Sequence, residues 1–396
     1  MFMKIQENKK NIIISGIGTI SAAGNDLSEN LNSFRLGHRN AGPVSLFKTD
    51  LTCPVFEVKN IPEKYQIYKM RTLSLALCAV NEALTDAGLD DFKGFRVGVC
   101  IGTTVASQLD GLDFYSEFRK TKKPSMDTVD RFLKGSIAEE IGRIIKVTGP
   151  FCTIVNACSS GTDAIGVALS WLKSGLCDIA IAGGADELSR IPLCGFTSLG
   201  IVSNSLCAPF DRDRHGLNLG EGAGILILET AKAASARGKK PSIFLNGYGS
   251  ASDSYHLTAP HPEGRGLEIA IHKALKEADI CPEDVCFVNA HGTATRDNDK
   301  VEGIVLDRIF GKDISFLSTK GFTGHTLGAA GGLEAAFTAA SLKERWIPAS
   351  TGFANKDKDI PITPVAEKIN IEGSYAVSTS LAFGGNNSVL VFAYKN

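Results

Sequence analysis

Six short apolar runs set the frame for this chain: NIIISGIG (11–18), FRVGVCIGT (95–103), CDIAIAGGA (177–185), GAGILILE (222–229), VCFVNAHG (285–292) and ISFLSTK (314–320). They lack the polar alternation of a strand with one wet face, so each predicts a strand covered on both sides. Between them lie segments with helical spacing, such as RTLSLALCAVNEALTDAG (71–88) and GLEIAIHKALKEADI (266–280). Strand and helix in alternation predict an α/β fold around a mostly buried sheet. The chain closes differently. YAVSTSLAFGGNNSVLVFAY (375–394) reads as two strands turned through Gly384-Gly385-Asn386-Asn387, residues that tolerate positive φ, and so predicts a hairpin.

No linker rich in Pro, Ser or charge divides the chain, yet its two halves are alike in kind. Each has a strand that delivers a reactive side chain and then a helix rich in Gly and Ala. Two similar fused halves sharing one core are expected, 1–250 carrying Cys158 and 251–396 carrying His291, Lys320 and His325. With 43% apolar and 21% charged residues in 396, the composition is that of a globular protein. A net charge of -1 gives no global signal for nucleic acid or membrane, and neither is expected as a partner. The start, MFMKIQENKKNIIISG, holds too short an apolar run for a secretory signal, and no apolar run reaches the roughly eighteen residues of a membrane span, so cytoplasmic residence is expected. The ten cysteines are scattered and form no CxxC pair, which argues against a disulfide framework or a zinc site.

Within VNACSSGTDAIG (155–166), Cys158 stands at the amino end of a helix whose middle, AIGVALSWL (164–172), is apolar nearly all round. Asp163 near its start and Lys173 at its end complement the helix dipole, and Gly175 suits its stop. Such a start offers unpaired backbone N–H groups that stabilise a thiolate or an oxyanion. A buried cysteine is far more often inert packing. The company it keeps decides. His291 in NAHGTAT and His325 in STKGFTGH each follow a strand-like run, with Lys320 beside the second. A cysteine with two histidines and a lysine in matching contexts is a candidate catalytic set.

NACSSGTDA, NAHGTAT, STKGFTGHTLGAAGG and SLAFGGNN, in that order, resemble the elongating, KAS II-like β-ketoacyl-[acyl-carrier-protein] synthases of the thiolase-like superfamily, a similarity that also covers PFDRDRHGLNLGEGAG (209–224) and YHLTAPHPEG (255–264). The resemblance implies a thiolase-like, layered αβαβα fold. It implies a decarboxylative Claisen condensation between an acyl group held on Cys158 and malonyl-[acyl-carrier protein], in fatty-acid or related polyketide or polyene synthesis. By that resemblance Cys158 is the nucleophile, His291 and His325 promote decarboxylation, and Lys320 organises the site with Glu334 as its ionic partner. Asp299 and Glu302 support a loop or a metal-like ion near the site, Thr293 and Thr295 hold the pantetheine arm, and Leu381 and Phe383 face substrate. The oxyanion hole is expected from the backbone N–H groups of Cys158 and Leu381. No metal or redox cofactor is implied, since phosphopantetheine arrives on the carrier protein. A homodimer is implied.

Leu381 is read as replacing a gating phenylalanine, and Arg296 stands where the family usually has proline. These departures allow a pathway-specific synthase with a chain-length-factor-like partner. Other classes stay open: a nucleotide-binding oxidoreductase, prompted by Gly16-Ile17-Gly18 after a strand but weakened by Ser21 in the third glycine position; a coenzyme A thiolase; and a non-catalytic carrier-binding subunit. Carrier proteins are acidic, and Lys64, Lys69, Arg71 and the run Arg119-Lys120-Thr121-Lys122-Lys123 are the basic candidates for docking one.

Overall fold

The computed structural model describes residues 12–66, 70–104, 110–127, 129 and 136–395; Asn11 of the first run and Lys69 lie outside them. Ten strands form one sheet in the order β3-β2-β4-β5-β1-β6-β12-β11-β7-β8. The first block is β1 (Ile12–Ser21), β2 (Val97–Gly102), β3 (Phe151–Ile154), β4 (Ile179–Asp186) and β5 (Gly222–Glu229). The second is β6 (Ile243–Ser252), β7 (Val285–Asn289), β8 (Ser315–Leu317), β11 (Tyr375–Ala382) and β12 (Asn386–Tyr394). A small ribbon of β9 (Trp346–Ile347) and β10 (Ile369–Asn370) stands apart. The closing hairpin is β11 with β12, paired from Tyr375↔Ala393 to Ala382↔Asn386. Strand β6 runs through residue 250, the expected change-over, and lies between β1 and β12 in the sheet.

Among the described residues the two blocks pair only at Ile12↔Leu245 and Ile13↔Phe244. Beyond that point β1 diverges from β6, and its outward N–H groups find other acceptors: Ile17 N–H donates to Asp86 and Thr19 N–H to Glu82, which also accepts from Leu27 N–H. Both carboxylates lie one turn apart on the helix Arg71–Ala87, so the helix caps the open strand edge as a neighbouring strand would. Burial raises the Glu82 carboxyl to about 7 despite those bonds.

Between the blocks run two buried helices, Ser160–Ser174 and Ala330–Glu344, which pack on each other and on strands of both. The helices Arg71–Ala87 and Ile137–Ile145 cover the first block, and Arg265–Ala278 covers the second, giving helix, sheet, helix, sheet, helix. Small residues set the closeness of the central layer. A Cβ at Gly161 would lie 2.7 Å from Gly332 N, and one at Gly332 would lie 2.4 Å from Gly184 N. This stacking brings the starts of both central helices together, each carrying a motif from a different half. Among the described residues no helix is long and apolar enough to cross a membrane.

Candidate active site

Cys158 follows β3 at a sharp turn in which Ala157 takes a left-handed φ of 49°, an arrangement that costs a non-glycine residue about 1–2 kcal/mol. Neighbouring side chains hold it. Ser160 Oγ donates to Ala157 O at 2.6 Å and accepts from Asn156 N–H at 2.8 Å. Asp163 takes Asn156 Nδ2, Ser159 Oγ, Tyr248 OH and Ser388 Oγ, tying the nucleophile turn to β6 and β12. Read in the sequence as a dipole partner, Asp163 is the buried hub of the turn.

The Cys158 side chain is buried, with Sγ 3.0 Å from His325 Nε2. Burial pushes its thiol up to about 12; the Lys320 charge and the Phe383 N–H pull the other way, and Glu334 and Asp186 add to the rise. The resting site therefore favours a neutral thiol, contrary to the thiolate expected at a helix start. Burial, then the Lys320 charge, holds His325 well below its ordinary value, so the ring is neutral and able to take a proton. Among the described residues its buried Nδ1 has no hydrogen-bond partner. The backbone donor that reaches Cys158 belongs to Phe383, not Leu381, whose place in β11 is opposite Asn387. The aromatic residue at the cavity wall is likewise Phe383, stacked on Phe196 at 5.5 Å between centroids, with Leu381 lining the same cavity.

His291 and His325 stand nearly perpendicular, 5.3 Å apart at their centroids. Lys320 is buried and bonds His291 Nδ1 at 3.1 Å, His291 O at 2.6 Å and the Glu334 carboxylate. An ammonium has only hydrogens to give, so Nδ1 accepts and the His291 proton sits on Nε2. Burial, followed by the Lys320 charge, keeps this imidazole neutral as well. Burial likewise raises the Glu334 carboxyl against the attraction of Lys320.

Glu302 accepts the N–H groups of His291 and Gly292 at 2.8 Å each, and Asp299 accepts those of Phe210 and Ala294 at 2.7 and 3.2 Å. Lying three residues apart on the helix Arg296–Phe310, the two acids clamp the histidine loop. Thr293 and Thr295 bring their hydroxyls within 2.9 Å of each other. A cavity of about 340 Å³ is lined by Cys158, both histidines, both threonines, Leu381, Phe383, Phe196, His215 and Arg296. Phe196 and His215 carried no assignment from sequence; PFDRDRHG was the one signal that pointed toward His215. Among the described residues no group of three or more His, Cys, Asp or Glu is arranged to hold a metal ion. Of the basic docking candidates, Arg71 is committed to Glu221 and Val58 O, whereas Arg119, Lys120, Lys122 and Lys123 are exposed.

A buried thiol and two neutral imidazoles around one cavity, with a buried lysine behind one of the imidazoles, fit an acyl-transferring condensing centre on a thiolase-like fold. The chain belongs to the β-ketoacyl synthase family, whose N-terminal domain matches residues 9–234 and whose C-terminal domain matches residues 243–354. It is 33% identical to 3-oxoacyl-[acyl-carrier-protein] synthase 2 of Staphylococcus aureus (strain N315), over 97% of this chain and 98% of that protein. The Synechocystis protein of the same name is also 33% identical, over 97% of this chain and 98% of its own length. Among solved structures, the ishigamide ketosynthase/chain length factor superposes with a TM-score of 0.90 at 29% identity, covering 98% of this chain and 100% of that one. The ketosynthase ApeO in complex with its chain length factor ApeC, from Xenorhabdus doucetiae, matches at 0.82 and 32%, covering 98% of each chain.

Proposed function

We propose that this chain is a 3-oxoacyl-[acyl-carrier-protein] synthase that joins an acyl group carried on Cys158 to a malonyl group on a carrier protein. The observation that carries the reading is the Cys158 Sγ to His325 Nε2 contact of 3.0 Å beside a His291 whose tautomer Lys320 fixes. In the first half-reaction neutral His325 takes the thiol proton as sulfur attacks the incoming thioester, and gives it to the departing carrier thiolate. The N–H groups of Cys158 and Phe383 hold the tetrahedral oxyanion, each such donor being worth about 3 kcal/mol.

In the second half-reaction the malonyl carboxylate leaves as CO2, and negative charge moves to the thioester oxygen. His291 Nε2–H donates to that oxygen. His325, whose Nδ1 has no partner to fix its tautomer, accepts from the thiol in the first step and donates to the enolate in the second. The carbanion then forms a C–C bond to the acyl carbonyl, the C–S bond to Cys158 breaks, and the thiolate regains one proton from solvent through His325. Thr293 and Thr295 hold the pantetheine arm, Glu302 and Asp299 fix the loop, and the chain's own residues complete the cycle in the cytoplasm.

A second subunit, either another copy of this chain or a chain-length-factor-like protein, is placed against β3. That strand is one of the two edges of the sheet and is half-buried throughout, and Val155 after it is 67% exposed. Unpaired strand edges invite pairing. The nearby solved ketosynthases with chain length factors support a paired assembly. Exposed Arg119, Lys120, Lys122 and Lys123 offer charge to an acidic carrier protein.

Mass spectrometry after incubation with acyl carrier proteins tests the function. An acyl adduct on the Cys158 peptide, absent in Cys158→Ala and released as a ketoacyl product two carbons longer when malonyl carrier protein is added, is expected. No adduct with or without a partner subunit would leave Cys158 structural and end the catalytic reading.

A further inference from the structure

The loop after β7 climbs the cavity wall. His291 and Thr293 are 2% and 6% exposed, Thr295 is half-buried, and Arg296 is exposed, yet all four line the same cavity. Thioester chemistry sits at the buried end, beside Cys158. The solvent end is therefore where the far end of an extended substrate arm must lie.

Two basic side chains line the cavity at that end, Arg296 and His215, both exposed, and neither has a hydrogen bond or ion pair to its side chain among the described residues. The acid that feels the Arg296 charge, Asp357, is already closed by Arg214 at 2.6 Å and by Asp359 N–H at 2.9 Å. Asp213, near His215, is held by Arg212 and by Asn355 Nδ2. Asp253, which also lines the cavity, accepts from His261 N–H, Gly266 N–H and Asn387 Nδ2. Asp297 lines it too, but sits in the first turn of the helix Arg296–Phe310, where backbone N–H groups offset carboxylate charge. An uncommitted guanidinium thus remains at the mouth, a group whose planar fork suits phosphate oxygens.

We propose that Arg296, with His215 on the same rim, binds the phosphate at the distal end of the pantetheine arm and so positions the thioester over Cys158. The identity of that arm rests on the condensing-enzyme reading above. Arg296 is a positioning residue: it acts on binding and register, not on the reacting atoms.

The test compares malonyl-phosphopantetheine with malonyl-pantetheine as extender for the full chain acylated at Cys158, in wild type, Arg296→Ala and Arg296→Lys. Wild type is expected to favour the phosphorylated thioester about tenfold in kcat/KM, the scale of one charge-assisted contact, with the difference in KM. In Arg296→Ala the ratio falls to near one, and Arg296→Lys restores part of it. An unchanged ratio in Arg296→Ala, or an equal loss on both thioesters, would overturn this inference alone. No ketoacyl product from either thioester where malonyl carrier protein does give one would also overturn this inference alone, and no product from malonyl carrier protein either would overturn the condensing reading with it.

Discussion

Whether Cys158 rests as a thiol or a thiolate can be decided by a titration. With burial holding the thiol at about 12, the thiolate fraction near neutral pH is on the order of a few in 100,000. The opposing influence of the helix start is at most about 2 kcal/mol, or about thirtyfold in the ionisation constant, which still leaves the thiolate near ~0.1%. Burial therefore wins. Thiolate absorbance, taken as wild type minus Cys158→Ala, should show no step between about pH 6 and 9, and alkylation by iodoacetamide should rise close to tenfold per pH unit across that range. A thiolate step at or below neutrality, with alkylation flat above it, would refute the reasoning: the helix start and backbone donors would then outweigh desolvation, and His325 would hold the proton at rest.

Lys320→Ala leaves the Glu334 carboxylate buried without its partner and should destabilise the fold by about 3–5 kcal/mol in urea unfolding. The Lys320→Met, Glu334→Gln pair should recover most of that stability while decarboxylation stays lost; recovery of decarboxylation would remove Lys320 from the site. Glu82 has a folded value above its unfolded one, so the folded state binds more protons and stability falls as pH rises from about 4.5 to 7. Glu82→Gln should flatten urea midpoints over that interval, and an unchanged slope would place the titration elsewhere.

The candidate set was legible because each member lies in a short segment whose chemistry is local: a thiol before a helix, imidazoles after strands. What joins the members was not. Asp163 meets Tyr248 and Ser388 across 85 and 225 residues, and no local pattern announces such partners. The amide that reaches the Cys158 sulfur lies two positions beyond Leu381, because the course of the chain out of β11 decides which amide turns toward sulfur. Burial opposes the thiolate expected at a helix start, and the depth of burial, unlike the helix start, is not visible in sequence. Among strands, β3 was expected before Cys158 but without bounds, because, half-exposed along its length, it carries no sustained apolar run. Strand β6 escaped because Gly247 and Gly249 interrupt it, and both are needed there: a Cβ on either would lie about 2 Å from a carbonyl of the helix Arg265–Ala278.

The narrow junction between the two sheet blocks makes the reaction centre a property of the join. The sulfur comes from one side of the seam and both imidazoles and the ammonium from the other, so neither half holds a usable site by itself. A cut in the 237–242 connection would leave two fragments whose condensing activity reports their reassociation, and the 3.0 Å contact would act as a ruler across the seam. In such a molecule, catalysis and correct assembly of the halves are one measurement.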